Sequence, residues 1–200
     1  FVAAAAMLVV LAAVLIVNLS GSIHHLMTQA KTPHFMQMHS GEFDAAQLDA
    51  FAQGDENVAD SQVLHFLNIE GSQIIICEES LAASVLDNGF SVQSERFDYL
   101  LDMDSQVIRP ADGEVYLPLA LMKDGTAKLG DSFTVGDNLF TVAGFLRDSQ
   151  MNSTLASSQR FLVNEAGYAN LQALGSVEYL IEFRLHDLSQ ISAFETAYAN

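Results

Sequence analysis

The hydrophobic pattern of this chain changes character after residue 23. Phe1 to Ile23 (FVAAAAMLVVLAAVLIVNLSGSI) is apolar almost without interruption and carries no charged side chain. Beyond it, apolar residues alternate with polar ones or recur at helical spacing, with carboxylates between them. The first stretch predicts a transmembrane helix over residues 1–23. At about 1.5 Å per residue it reaches roughly 34 Å, enough for a hydrocarbon core of about 30 Å. Twelve of its residues are Leu, Ile, Val or Phe, each favouring insertion by about 0.3–0.6 kcal/mol at mid-membrane. Asn18, Ser20, Gly21 and Ser22 weaken the far end. Two other readings compete. A signal peptide has an apolar region of about 7–15 residues and a small-residue cleavage site, whereas this run is longer and no A-x-A site follows. A buried core helix shows one polar face, and Phe1 to Val17 shows none. A chain that opens on Phe rather than Met reads as an excerpt.

The remaining pattern predicts an α+β domain. Residues 24–33 form a stalk that Pro33 stops, because the residue before proline avoids helical angles. His34 to Met38 alternates weakly, as a strand does. Asp44 and Gln47 have capping-box spacing, Phe43 and Leu48 can staple the helix start, and Gly54 ends that helix. Gln62 to Ile69 reads as a strand. Glu70-Gly71-Ser72 then turns into an apolar run, Ile74 to Cys77, which reads as a buried strand. Ser80 to Leu86 reads as a short helix capped by Asn88-Gly89, and Phe90 to Ser105 shows no clear period. Val115 to Pro118 is a strand, and Leu119 to Lys128 a short helix or loop. Ser132 to Val135 and Leu139 to Leu146 form a hairpin around Gly136-Asp137-Asn138. Arg160 to Val163 is a strand, and a helix from Asn164 or Glu165 to Leu174 ends at Gly175. Val177 to Leu185 (VEYLIEFRL) alternates most cleanly. Asp187-Leu-Ser-Gln190 repeats the Asp44-to-Gln47 spacing ahead of Ile191, Phe194 and Tyr198.

Charge narrows the possible partners. All 8 Lys and Arg and all 25 Asp and Glu lie after residue 30, giving a net charge of −17. Such a surface repels nucleic acid. Positive charge gathers on the cytoplasmic side of a membrane helix, and Lys31 is the single cation close after Ile23. The acidic domain, from about residue 24 on, is therefore expected on the extracytoplasmic side. Cys77 is alone, so an internal disulfide is excluded.

Candidate chemistry is thin. His24, His25, His34 and His39 fit no compact ligand spacing. Asp102-Met-Asp104 is half of a calcium loop but lacks the glycine and the terminal Glu of that motif. His65 lies inside a strand and reads as structural. Gly130, Gly136 and Gly144 stand in hairpin contexts rather than between a strand and a helix, so a phosphate cradle is not expected. Asn152-Ser-Thr154 matches a glycosylation acceptor. There is no G-x-S-x-G and no H-E-x-x-H, so no catalytic, cofactor-binding or metal-ligating residues are assigned and no enzymatic activity is expected.

Leu129-Gly130-Asp131, followed by a hairpin that ends Phe140-Thr-Val-Ala-Gly144-Phe-Leu-Arg147-Asp148, resembles the extracytoplasmic domain of FtsX/MacB-type ABC transporter permeases. The family pattern runs loosely from a Leu at a strand start through GD-x-hydrophobic to hydrophobic-V-x-G-hydrophobic-x-x-D. The motif covers about 34 residues. The layout, one membrane helix and then an external domain, covers the whole chain. The resemblance implies a split βαβ porter-like subdomain made of residues 34–79 and 159–200, with a β-rich subdomain, 80–158, inserted between them. A closing strand of the second half is expected beyond Asn200. It also implies a lipid bilayer around the first helix, a homo- or heterodimer of permease subunits, and a separate cytoplasmic ABC ATPase subunit whose ATP hydrolysis drives transport or mechanotransmission. Ser22 to Lys31 would carry the force. Two other classes remain open: a membrane-anchored binding or sensor module without an ATPase, and a secreted binding protein whose mature N-terminus lies near residue 24.

Overall fold

The structure is a computed structural model and describes residues 2–151 and 156–199. The Asn152-Ser-Thr154 sequon lies outside them. The chain begins as one helix, α1 (Val2–Gln29), of 28 residues. It contains the 23-residue span Met7–Gln29, apolar and long enough to cross a membrane, with none of its window buried by the protein. Helix α1 does not end at Ile23. Gly21 and Ser22 do not break it, since one glycine inside a helix costs only about 1 kcal/mol; the Ser22 and Thr28 hydroxyls turn back to the carbonyls of Asn18 and His24, at 2.9 and 2.8 Å. The apolar span and the stalk are thus a single helix.

The rest is built on one mixed sheet of ten strands. In chain order these are β1 (Phe35–Ser40), β2 (Val58–Asn68), β3 (Ile74–Ile76), β4 (Glu79–Ser80), β5 (Asp87–Ser91), β6 (Glu114–Pro118), β7 (Ser132–Val135), β8 (Asn138–Leu146), β9 (Ser158–Leu162) and β10 (Ser176–Leu185). Four further helices are α2 (Ala45–Gly54), α3 (Leu119–Lys123), α4 (Glu165–Leu171) and α5 (Ile191–Tyr198). The strand order is β1-β10-β2-β5-β9-β6-β8-β7-β3-β4. Among the described residues, only β5 with β9 and β6 with β8 pair in parallel.

Near the stalk, β10 runs antiparallel between β1 and β2, and α2 is the crossover that joins those two strands. This is the split βαβ arrangement. The α+β class follows from the alternation in β10. Ile181, Phe183 and Leu185 face α2 and α5, where they meet Phe35, Leu48, Phe51, Phe194 and Tyr198. The Phe183 ring lies 5.1 Å from that of Phe194 and 5.9 Å from that of Phe51. Leu180 points the other way, onto Phe66 and Met151. Helix α2 starts as its sequence predicts: the Asp44 carboxylate accepts the N–H groups of Ala46 and Gln47 at 3.0 Å each. The Asp187 carboxylate makes the same kind of cap, but over a 3-10 turn, Leu188–Gln190, that precedes α5.

A second, larger core fills the space among β3, β5, β6, β7, β8 and β9, with Phe90, Phe133 and Phe161 at its centre. Here several local expectations fail for non-local reasons. Ser80 to Leu86 holds one 3-10 turn, Leu81–Ala83, rather than a helix. Asn88-Gly89 is no cap but part of β5, and Gly89 stands where any Cβ would lie 1.8 Å from the Phe66 ring. Cys77 is an exposed thiol, not a buried strand residue. Strand β3 stops at Ile76, and Cys77 takes a left-handed backbone, φ 56°, to begin the turn into β4.

Candidate functional site at the joint between helix and domain

The rod ends in a tight, fully bonded turn. Lys31 N–H reaches Thr28 O at 3.2 Å, and Thr32 N–H reaches Met27 O at 3.0 Å. These are the two bonds of a Schellman end, whose left-handed residue is usually glycine. Here it is Lys31, at φ 49°. What holds a lysine there is the domain. Tyr99 N–H donates to Ala30 O at 2.7 Å, and Asp98 N–H donates to Lys31 O at 3.2 Å. The Lys31 ammonium sits 5.1 Å from the centre of the Tyr99 ring, within cation–π range. Arg184 of β10 donates to Thr32 O at 3.0 Å, and Ala30 is wholly buried. The grip is therefore on Ala30 to Thr32, at the end of the expected Ser22–Lys31 region.

Asp98 is left-handed too, at φ 56°. Its side chain leads inward from the stalk to a buried cluster of charges. Arg160 on β9 donates to the Asp98 carboxylate at 2.7 Å and pairs with Asp148, just past β8, at 2.8 Å. All three side chains are at most 2% exposed. The Asp148 carboxylate also accepts the N–H groups of Gln150 and Met151 at 2.7 and 3.0 Å. On β10, Glu182 is fully buried and accepts from the Gln62 amide of β2 at 2.7 Å. Gln62 also donates to Phe97 O at 3.1 Å, and Ser94 donates to Gln62 at 3.0 Å.

One guanidinium thus faces three carboxyls in a water-excluded place. Burial pushes the Glu182 carboxyl up to about 9, the neighbouring Asp98 charge adds to this, and Arg160 and Gln62 offset only part. At neutral pH Glu182 is therefore protonated and can donate to the Asp98 carboxylate. Burial also raises Asp148, against the pull of Arg160. Burial opposes the charge on Arg160, but Asp148 and Asp98 outweigh it and keep the guanidinium ionised.

The histidines do other work. The His34 Nδ1 accepts the Leu185 N–H at 2.8 Å, and burial together with Arg184 holds its pKa below the ordinary value, so the ring is neutral. His39 lies 3.3 Å from Glu42 O, and His65 packs edge-on against Tyr179 with centroids 5.4 Å apart. The Asp102 carboxylate is occupied by the N–H groups of Asp104 and Gln106. No group of three metal-ligating side chains occurs among the described residues.

Of the cluster, pattern reading singled out none. Glu182 falls on the outward-reading half of a clean alternation, and Asp148 closes the hairpin motif as its last residue. One signal was there: Arg160 is the lone charge in an apolar segment, Arg160 to Val163, and a cation in a strand buried on both sides must have an acid partner.

No protein-family model matches this chain, and no curated protein does. Solved structures with a similar fold include the periplasmic region of MacB from Actinobacillus actinomycetemcomitans, at 13% identity over 88% of this chain and 86% of that one, with a TM-score of 0.47. The extracellular domain of the noncanonic ABC-type transporter YknZ from Gram-positive bacteria is similar at 13% identity over 79% and 86%, with a TM-score of 0.41.

Proposed function

We propose that this chain is the first membrane helix and the extracytoplasmic domain of an ABC transporter permease subunit. It works with a second permease subunit and with a separate cytoplasmic ATPase, whose strokes it passes outward as motion. The reading is carried by one observation: a helix of membrane length runs unbroken into the domain and is clamped there through Ala30, Lys31 and Thr32. A tether needs no such clamp, since a flexible linker holds a domain at a surface equally well. A transmitter of force needs a stiff joint. The hairpin motif supports the family assignment. The cargo would be a lipid, a peptide or a lipoprotein, or no cargo at all where the external motion activates a cell-wall hydrolase.

The test is a pull-down of the full-length gene product from its native membranes in mild detergent, with bound proteins identified by mass spectrometry. A stoichiometric ATPase is expected. A clean preparation that carries no ATPase and hydrolyses no ATP refutes the permease reading. The membrane-anchored binding module then takes its place. The observation favouring that second reading is an open cleft of about 810 Å³ beside β1, lined by Phe35, His39, Phe43, Leu48, Phe51 and Tyr198 among others.

A further inference from the structure

Asp98 belongs to two structures at once. Its backbone N–H holds Lys31 at the stalk end, and its carboxylate holds Arg160 in the buried cluster. Chain geometry makes these one object, because a residue cannot follow the stalk outward and leave its side chain behind. The cluster in turn is set for Asp98 to be present. The groups that face Glu182 are Asp98 from the loop, Arg160 from β9 and Gln62 from β2, with Asp148 behind Arg160. Across on β1 its register partner is the apolar Met36. Two residues along its own strand, Arg184 stands opposite Asp60; Asp60 pairs with Arg96, and Arg184 with the Thr32 carbonyl. While Asp98 is seated, two carboxylates already answer the single guanidinium, so a third negative charge on Glu182 has no partner. Once Asp98 leaves, one of those places beside Arg160 is vacant and an ionised Glu182 can take it.

We propose that the joint is a proton-linked latch: when the stalk end withdraws Asp98 from the Arg160 cluster, Glu182 gives up its proton to solvent and becomes the replacement anion, so that a rise in external pH favours the released joint. The proposal rests on the reading that α1 moves against the domain. Its sign follows from linkage. Seated, Glu182 is pushed up to about 9; released, it loses the neighbouring Asp98 charge and gains Arg160 as its partner, and both changes lower its pKa. The seated form thus binds one proton more through the window between its seated and released values. Its advantage is full below the window, falls about tenfold for each pH unit through it, and is gone above it. The raised Asp148 acts in the same direction.

The experiment is amide hydrogen exchange on the full chain in detergent micelles, from pH 6 to pH 8, reading protection factors at Asp98 and Tyr99, the two amides that donate to the stalk end. Dividing by the intrinsic exchange rate removes the ordinary pH dependence. Protection at these two amides is expected to fall about tenfold per pH unit, while amides between β6 and β8 stay level. In Glu182→Gln, which cannot ionise, the profile is expected to be flat. A flat profile in the natural chain, or the same slope in Glu182→Gln, overturns the latch. Should Glu182→Gln fail to fold, carbon-13 NMR of the labelled Glu182 carboxyl in the natural chain decides: a midpoint near 9 supports the latch and a midpoint near the ordinary carboxyl value overturns it. The measurement needs this chain alone. A flat slope in a protein that does bring down an ATPase sinks the latch and leaves the permease reading standing. A slope without an ATPase does the reverse.

Discussion

Replacing Arg160 by Met is the sharpest test of the buried cluster. Methionine fills much of the same space without charge, so the loss is chiefly electrostatic. Asp98, Asp148 and Glu182 then share a dry site with no cation. In the unfolded chain an Asp titrates at about 3.9. To fold at pH 7, at least one further carboxyl of the cluster must take up a proton, which costs about 1.36 kcal/mol per unit over roughly three units, or about 4 kcal/mol. That agrees with the roughly 3–5 kcal/mol seen when one partner of a buried ion pair is removed. At pH 5 the same uptake spans only about one unit and costs about 1.5 kcal/mol. The sign is fixed: the variant's folded state binds more protons than its unfolded state, so its deficit shrinks as pH falls. For a domain of this size about 1 kcal/mol moves the melting temperature by roughly 2–4 °C. Calorimetry of the full chain should therefore show the variant melting about 8–16 °C below the natural protein at pH 7 and about 3–6 °C below it at pH 5. The exposed pair Arg96–Asp60, whose side chains are 57% and 31% accessible, supplies the control: Arg96→Met should cost less than about 1 kcal/mol. A gap under about 1 kcal/mol at pH 7, or a gap that does not shrink towards pH 5, refutes the electrostatic account of the cluster.

Other consequences are simpler to read. Gly89→Ala places a methyl group in the Phe66 ring, where 1.8 Å is available, and should lower stability by about 1–3 kcal/mol in a denaturant titration; an unchanged midpoint would show that β2 and β5 can slide apart freely. Asp44→Ala removes the acceptor for two N–H groups at the start of α2 and should cost about 1 kcal/mol by the same titration. Leu15→Arg puts a charge in the middle of the apolar span of α1 at about 2.5–3.5 kcal/mol of insertion free energy. Paired with Val10→Arg, it should shift the protein from the carbonate-resistant membrane fraction into the extractable one, and full retention would refute a membrane-spanning α1.

What could be read from the sequence is what neighbouring residues decide among themselves. The β7–β8 hairpin is an example: Val135 pairs with Asn138 across Gly136-Asp137, and that turn is written in three consecutive residues. The Asp44 cap and the alternation of β10 are equally local. Helix α1 was legible both in its composition and in its run through the stalk, which ends at Gln29, ahead of Pro33. The misreadings share a cause. Gly89 looks like a helix cap until the Phe66 ring, brought in from β2, explains why no Cβ fits. Cys77 looks like the end of a buried strand, and Ile74 and Ile76 are indeed buried, but β3 stops at Ile76 and Cys77 turns out to solvent on the way to β4. The charge cluster joins residues that lie 62 positions apart for Arg160 and Asp98 and 120 apart for Gln62 and Glu182. Pairings at that range are a property of the sheet order, which no local pattern encodes.

The joint also determines what kind of motion the domain can receive. The stalk end is attached to the domain by two routes that diverge. One is covalent: Pro33 and His34 lead directly into the edge strand β1, where His34 N–H bonds Phe183 O at 2.8 Å. The other leaves Ala30 and Lys31 through Asp98 and Tyr99, and passes by way of Arg160 to β9, in the middle of the ten-stranded sheet. A rod held at one point is a hinge and passes on tension only. A rod held at two points resists rotation and therefore passes on tilt. Helix α1 is continuous through all 28 of its residues, and its end is closed by a Schellman turn rather than a flexible linker. A change of tilt within the membrane would reach the sheet as torque between β1 and β9. The strands in that path are β10, β2 and β5, and two of them carry Glu182 and Gln62. The polar cluster therefore lies where the torque would be felt, which gives a physical reason for placing ionisable groups there rather than the apolar side chains that would serve stability as well.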